Sequence, residues 1–139
     1  MSFARVLGAV RAFCGDSDVA YDVTQEAFAR AFSRWSRVKE SAWPQAWVTI
    51  TAFNLSRRHF RRLSRRLPAD PDAIARGPTE DRLDILAALR SLPERQRQAA
   101  VLHYLVDCPI AMVAELMGLS EGAVKAHLFK ARMGMRNAL

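Results

Sequence analysis

Cysteine is scarce in this 139-residue chain: Cys14 and Cys108 stand far apart and form no CxxC pair. Neither a disulfide framework nor a zinc site fits that spacing. Six glycines and six prolines are too few for collagen-like or low-complexity sequence. No apolar run approaches the ~20 residues that cross a bilayer. The apolar start Phe3–Val10 is cut by Arg11 and lacks the layout of a signal peptide. Histidine is sparse too. His59, His103 and His127 fall in different helical segments, with no cysteine or paired carboxylate at catalytic spacing. His103 and Asp107 are four apart, the spacing of solvated helix neighbours. An enzyme, a metal centre and a bound cofactor are therefore not expected, and both cysteines read as buried apolar residues. What is left is a small, soluble, cytoplasmic protein with no membrane insertion, half apolar and a quarter charged, which suffices for a core.

Basic charge is present, and unevenly. The chain carries 21 Lys+Arg against 14 Asp+Glu, a net +7. Residues 1–66 hold +7, residues 67–78 hold −1 and residues 79–139 hold +1. Six arginines lie between 57 and 66: Arg57, Arg58, Arg61, Arg62, Arg65 and Arg66. Such a run fits a polyanionic partner or a solvated helix face, and by itself does not choose between them.

Three prolines and a glycine between Leu67 and Pro78 cannot continue a helix. The chain thus divides into 1–66, a flexible linker 67–80, and 81–139. Three helices are expected before the linker: Phe3 to Phe13, a second after Asp16 or Ser17 carrying Val19, Val23, Phe28 and Phe32, and a third from Pro44 to about Arg66. Four follow. Leu83, Ile85, Leu86 and Leu89 stripe the first. Pro93 opens the second, with Ala99, Leu102, His103 and Val106 on one face. Ile110–Met117 is short and ended by Gly118, and Ser120 caps the last, which buries Val124, Leu128, Ala131 and Met135. No strand alternation is seen, so the fold class is all-α: two small helical domains.

Residues 109–125 have helix-turn-helix spacing. Ala114 is small where two helices meet, Gly118 permits a positive φ, and Leu119 plugs the corner. An ordinary helical hairpin shares some of these traits. Taken with the cap and the following basic residues, the pattern favours a DNA reader with the helix start in a major groove. Its exposed side would be Ser120, Glu121, Gly122, Ala123, Lys125, Ala126, Phe129 and Lys130. His127 and Arg132 would meet the sugar-phosphate backbone.

At ~100° per residue, the six arginines of 57–66 share about half of a helix circumference. Trp47, Ile50 and Asn54 project into the same arc, and Ala52, Ser56, Phe60 and Leu63 face away. Arginines neutralise phosphates, indoles stack on unpaired bases and an amide can read a base edge, which suits melting DNA. Trp43 and Trp47, near a helix start, also fit a packing role.

With these segments in order, the chain resembles the extracytoplasmic-function (ECF) sigma factors of the sigma-70 class. Asp22-Val23-Thr24-Gln25-Glu26-Ala27-Phe28-Ala29-Arg30 is similar to the family's polymerase-binding helix. Ala46 to Leu55 with Arg61-Arg62 is similar to its −10 helix, and Ala88–Arg97 with Val113–Lys125 to its −35 domain. The resemblance implies an RNA polymerase sigma factor without catalysis of its own, directing promoter-specific initiation. Asp22, Gln25, Glu26, Phe28 and Arg30 would bind core polymerase at the β′ clamp helices, with the β flap a further contact. Trp47, Ile50, Asn54, Arg57, Arg58, Arg61 and Arg62 would hold the −10 strand. The helix from Ser120 would read the −35 element, and the linker would thread the RNA exit path. An anti-sigma factor is the expected protein partner. Phe53 and Arg58 stand where the family usually has Arg and a carboxylate. Ala123, Ala126 and His127 replace its usual Thr, Ser and Arg, and the first helix begins one or two turns late. The alternative is a stand-alone helix-turn-helix regulator that binds duplex DNA without a polymerase.

Overall fold

Local signals set each helix boundary in the computed structural model, which describes residues 2–66 and 80–139. The linker expected at 67–80 lies outside the described residues except for Glu80. Helix α1, Phe3–Cys14, starts where the Ser2 hydroxyl accepts from the Arg5 amide. It ends at Gly15, whose φ of 74° lets its N–H reach the Arg11 carbonyl. Asp16 then accepts from the Val19 amide and opens α2, Ser17–Ser33. A four-residue helix, α3 (Trp35–Val38), was not foreseen from the sequence. Pro44 occupies the first turn of α4, Pro44–Arg66. Within the β-branched stretch, which stays helical, Thr49 Oγ1 and Thr51 Oγ1 donate to the carbonyls of Gln45 and Trp47, each at 2.8 Å.

Small residues decide how these helices meet. Ala20, Val23, Thr24, Ala27 and Ala31 form the buried side of α2, which lies against α4. With that side in, Phe32 points outward and is 74% exposed, not the core residue its spacing suggested. Along α4, Ala46, Val48, Thr49, Ala52, Phe53, Leu55 and Ser56 are buried. Beyond Ser56 the helix leaves the core. Leu63, expected to face inward, is 41% exposed because nothing covers this end among the described residues.

The second half runs α5 (Glu80–Ser91), α6 (Glu94–Ala100), a π-helical turn (Val101–Leu105), α7 (Ile110–Met117) and α8 (Glu121–Ala138). A regular helix through Val106 was expected. Instead Val106 N–H donates to the Val101 carbonyl at 3.3 Å, five residues back. His103 Nδ1 lies 2.8 Å from the Cys108 carbonyl, which can only accept, so the proton sits on Nδ1. His103 and Asp107, expected as solvated neighbours on one helix, are not helix neighbours: Asp107 lies past the turn in a left-handed conformation, φ 55°. Ile85, placed on the apolar stripe of α5, is exposed, and Ala88 and Leu92 are buried in its stead. Gly134 of α8 faces the side chain of Leu92, just past α5, where a Cβ would clash.

The two halves touch. α1 packs against α5 and the π turn, and the buried apolar residues form one continuous cluster. Arg5 donates from Nε to the Leu105 carbonyl at 3.3 Å and pairs with Asp107. Arg97 Nη1 donates to the Phe13 carbonyl at 3.0 Å, and its guanidinium lies 5.0 Å from the Phe13 ring centroid. Phe13 in turn stacks on Phe53 at 4.1 Å, so one guanidinium and two phenyl rings bridge the seam. Phe53, an Arg in the usual family pattern, thus serves as packing. Among the described residues there is no strand.

Candidate nucleic-acid interfaces

Two surfaces carry the residues picked out from sequence. On the first, Trp47, Thr51, Asn54 and Arg58 of α4 meet Arg30 and Arg34 around a cleft of about 210 Å³. Trp47 and Ile50 are half-buried against the core, while Asn54 is exposed. The indole therefore both packs and offers an edge, and the amide is the freer recognition group. Arg34, at the C-terminal end of α2, was missed in the sequence. Its spacing of four from Arg30 was the available signal.

A second cleft of about 380 Å³ joins this one along Arg30 and Arg58. Asp22, Glu26, His59 and Arg62 also line it. Arg30 is held here by Glu26 at 2.9 Å. Asp22, Gln25 and Glu26 are exposed on the same helix face, whereas Phe28 is half-buried and packs on Phe3 at 5.2 Å. Phe28 thus supports the surface from below.

Arg57, Arg58, Arg61 and Arg62 do not form one track; the side chains of Arg65 and Arg66 lie outside those described. Arg58 and Arg62 lie on the side of Asn54, but Arg57 and Arg61 turn to the opposite edge of α4. Arg57 pairs with Glu94 of the second half. Half a circumference is wide enough for the run to serve two faces, and Glu94 meets the one that carries Arg57.

The other surface is the helix-turn-helix. Gly118 takes φ 67°, and Leu119 N–H donates to the Ala114 carbonyl at 2.9 Å, closing the turn. Ser120 Oγ accepts from the Ala123 amide at 3.1 Å and fixes the start of α8. Ser120, Glu121, Gly122, Lys125, Ala126, Phe129 and Lys130 are exposed, with Phe129 at 59%. Ala123 and His127 are only half-exposed, and His127 Nδ1 is buried with no hydrogen-bond partner among the described residues. Arg132, expected to reach DNA backbone, donates to the Tyr104 hydroxyl at 2.7 Å. Cys108 is buried, whereas Cys14, expected to be buried too, is half-buried; burial raises the Cys14 thiol above its ordinary range and pushes Cys108 up to about 11.

These two surfaces coincide with two known regions. The Sigma-70 region 2 profile matches residues 3–66, and the Sigma-70, region 4 profile matches residues 82–134. This chain belongs to the ECF sigma-70 family. Relatives of this sigma factor family include the RNA polymerase sigma-E factor of Streptomyces antibioticus, 29% identical over 126 residues, covering 86% of this chain and 70% of the relative. The ECF RNA polymerase sigma factor BldN of Streptomyces coelicolor is 29% identical over 130 residues, covering 84% and 49%. Across the curated relatives it matches, the chain spans from 35% to 80% of their length. Its fold resembles that of the sigma factor RpoE from Bartonella quintana, solved in complex with the anti-sigma factor NepR. The TM-score is 0.76 at 23% identity, covering 96% of this chain and 91% of that one. No described helix is long and apolar enough to cross a membrane.

Proposed function

We propose that this chain confers promoter recognition on RNA polymerase as a dissociable subunit, without a bond-making step of its own. Residues 1–66 bind core polymerase through Asp22, Gln25, Glu26 and Arg30 and hold the unpaired −10 strand with Trp47, Asn54, Arg58 and Arg62. Residues 67–80 act as the tether, and 81–139 read the −35 duplex from Ser120 to Lys130. The single observation that best supports this reading is the presence, in one chain, of an exposed amide flanked by an indole and arginines and a separate capped reading helix. Tethering raises effective concentration, so a reading half with a net charge of only +1 suffices. The anti-sigma partner of the Bartonella quintana relative supports a protein inhibitor here as well.

Run-off transcription with core polymerase across a promoter library tests the reading. Discrete start sites are the expected result. Asn54→Ala should lower open-complex formation about tenfold, the worth of one base-edge hydrogen bond, and leave polymerase binding within about twofold. Failure to associate with polymerase, with tight binding to an inverted repeat, would instead mark a stand-alone regulator.

A further inference from the structure

The seam between the halves encloses a cleft of about 390 Å³, at the small end of the range that takes small-molecule ligands. Arg57 and Arg61 come from α4, Arg97 and Glu94 from α6, and Phe13 and Phe60 supply apolar walls. Three guanidinium groups thus face one carboxylate. Glu94 pairs with Arg57 yet leaves Arg57 Nη2 buried without a hydrogen-bond partner among the described residues. Arg97 Nε is in the same position, although its Nη1 is used by the Phe13 carbonyl. Burial lowers the Arg97 pKa below its ordinary value, the direction expected of a charge short of acceptors. Buried charged donors left unbonded are costly, and a multiply charged oxyanion offers several acceptors at guanidinium geometry.

We propose that this seam cleft binds a pyrophosphate group, free or carried on a nucleotide. Its phosphoryl oxygens accept from Arg57, Arg61 and Arg97, and Phe13 and Phe60 flank them. Because the donors come from both halves, the ligand binds the packed arrangement and stabilises it against separation. Arg57 and Arg61 lie on the edge of α4 opposite Arg58 and Arg62, which hold the strand in the function proposed above, so ligand and strand occupy separate faces.

Calorimetric titration of the full chain at fixed ionic strength, without polymerase or DNA, tests the site apart from that function. Sodium pyrophosphate should bind saturably at one per chain. Arg61→Gln, whose side chain is exposed, and Arg97→Gln should each weaken binding about tenfold. Arg58→Gln, on the other edge of α4, should change it less than about twofold. If Arg97→Gln loosens the fold by circular dichroism, Arg61→Gln decides. Parallel titrations with orthophosphate and ATP separate the sources: tighter ATP points to a nucleotide, equal affinity to the free ion. Absence of saturable heat, or equal losses in Arg58→Gln and Arg61→Gln, overturns the proposal in favour of diffuse charge attraction.

Discussion

The first half carries nearly all the net charge, and the second carries almost none, yet a nucleic-acid surface is proposed on both. They differ in means. On α4, recognition groups sit along a helix edge crowded with guanidinium, where attraction is long-ranged and falls with salt. On α8, a cap, a left-handed glycine and a plugged corner hold a few exposed side chains at a fixed angle. The contrast teaches that charge density and positional accuracy are separately distributed in this chain, and that each half lacks what the other supplies.

The largest way to break that comparison is through the core that aims α4. Phe53→Ala removes the ring stacked on Phe13 and should cost about 3–5 kcal/mol, seen as a lower denaturant midpoint. If the change is mild, the aromatic bridge is not what holds α4. Next comes the reading helix. Ser120→Ala deletes the cap on the Ala123 amide and should cost about 1 kcal/mol in thermal unfolding, with duplex affinity falling and single-strand affinity kept. Equal loss on both substrates would erase the distinction between the halves.

Smaller effects sharpen it. Arg58→Gln and Arg62→Gln should each reduce the salt slope of single-strand binding by about 0.7, while Lys125→Ala leaves that slope alone. A further test is alkaline. Cys108 keeps its proton in the folded chain up to about 11, above its ordinary 9.0, because burial disfavours the thiolate. The folded state therefore holds more protons than the unfolded one between those values, and stability falls as pH rises through them. Cys108→Ala should flatten that fall in equilibrium unfolding between pH 9 and 11.

Much of the fold was legible because its boundaries are written locally. Gly15, Asp16, Pro44, Pro109, Gly118 and Ser120 each act within a turn of their own position, and the helices they frame appear where expected. Side-chain destinations were less legible wherever a distant residue decides them. Arg57 goes to the seam because Glu94, far along the chain, receives it. Phe32 points outward because alanines, not aromatics, set the contact between α2 and α4. Phe53, opposite in character to the usual family residue, finds Phe13 and Arg97 from two other helices. The candidate surfaces were likewise readable as types of residue. Their split into two edges of α4 was not, since it depends on the second half lying alongside.

The π turn makes the joint sensitive to length. One surplus residue there sets the phase at which the chain departs toward Asp107. Deleting a single position from 101–105 would replace the wide turn by an ordinary helical one and disturb the pairing of that carboxylate with Arg5. The halves would then lose a latch while each kept its own helices.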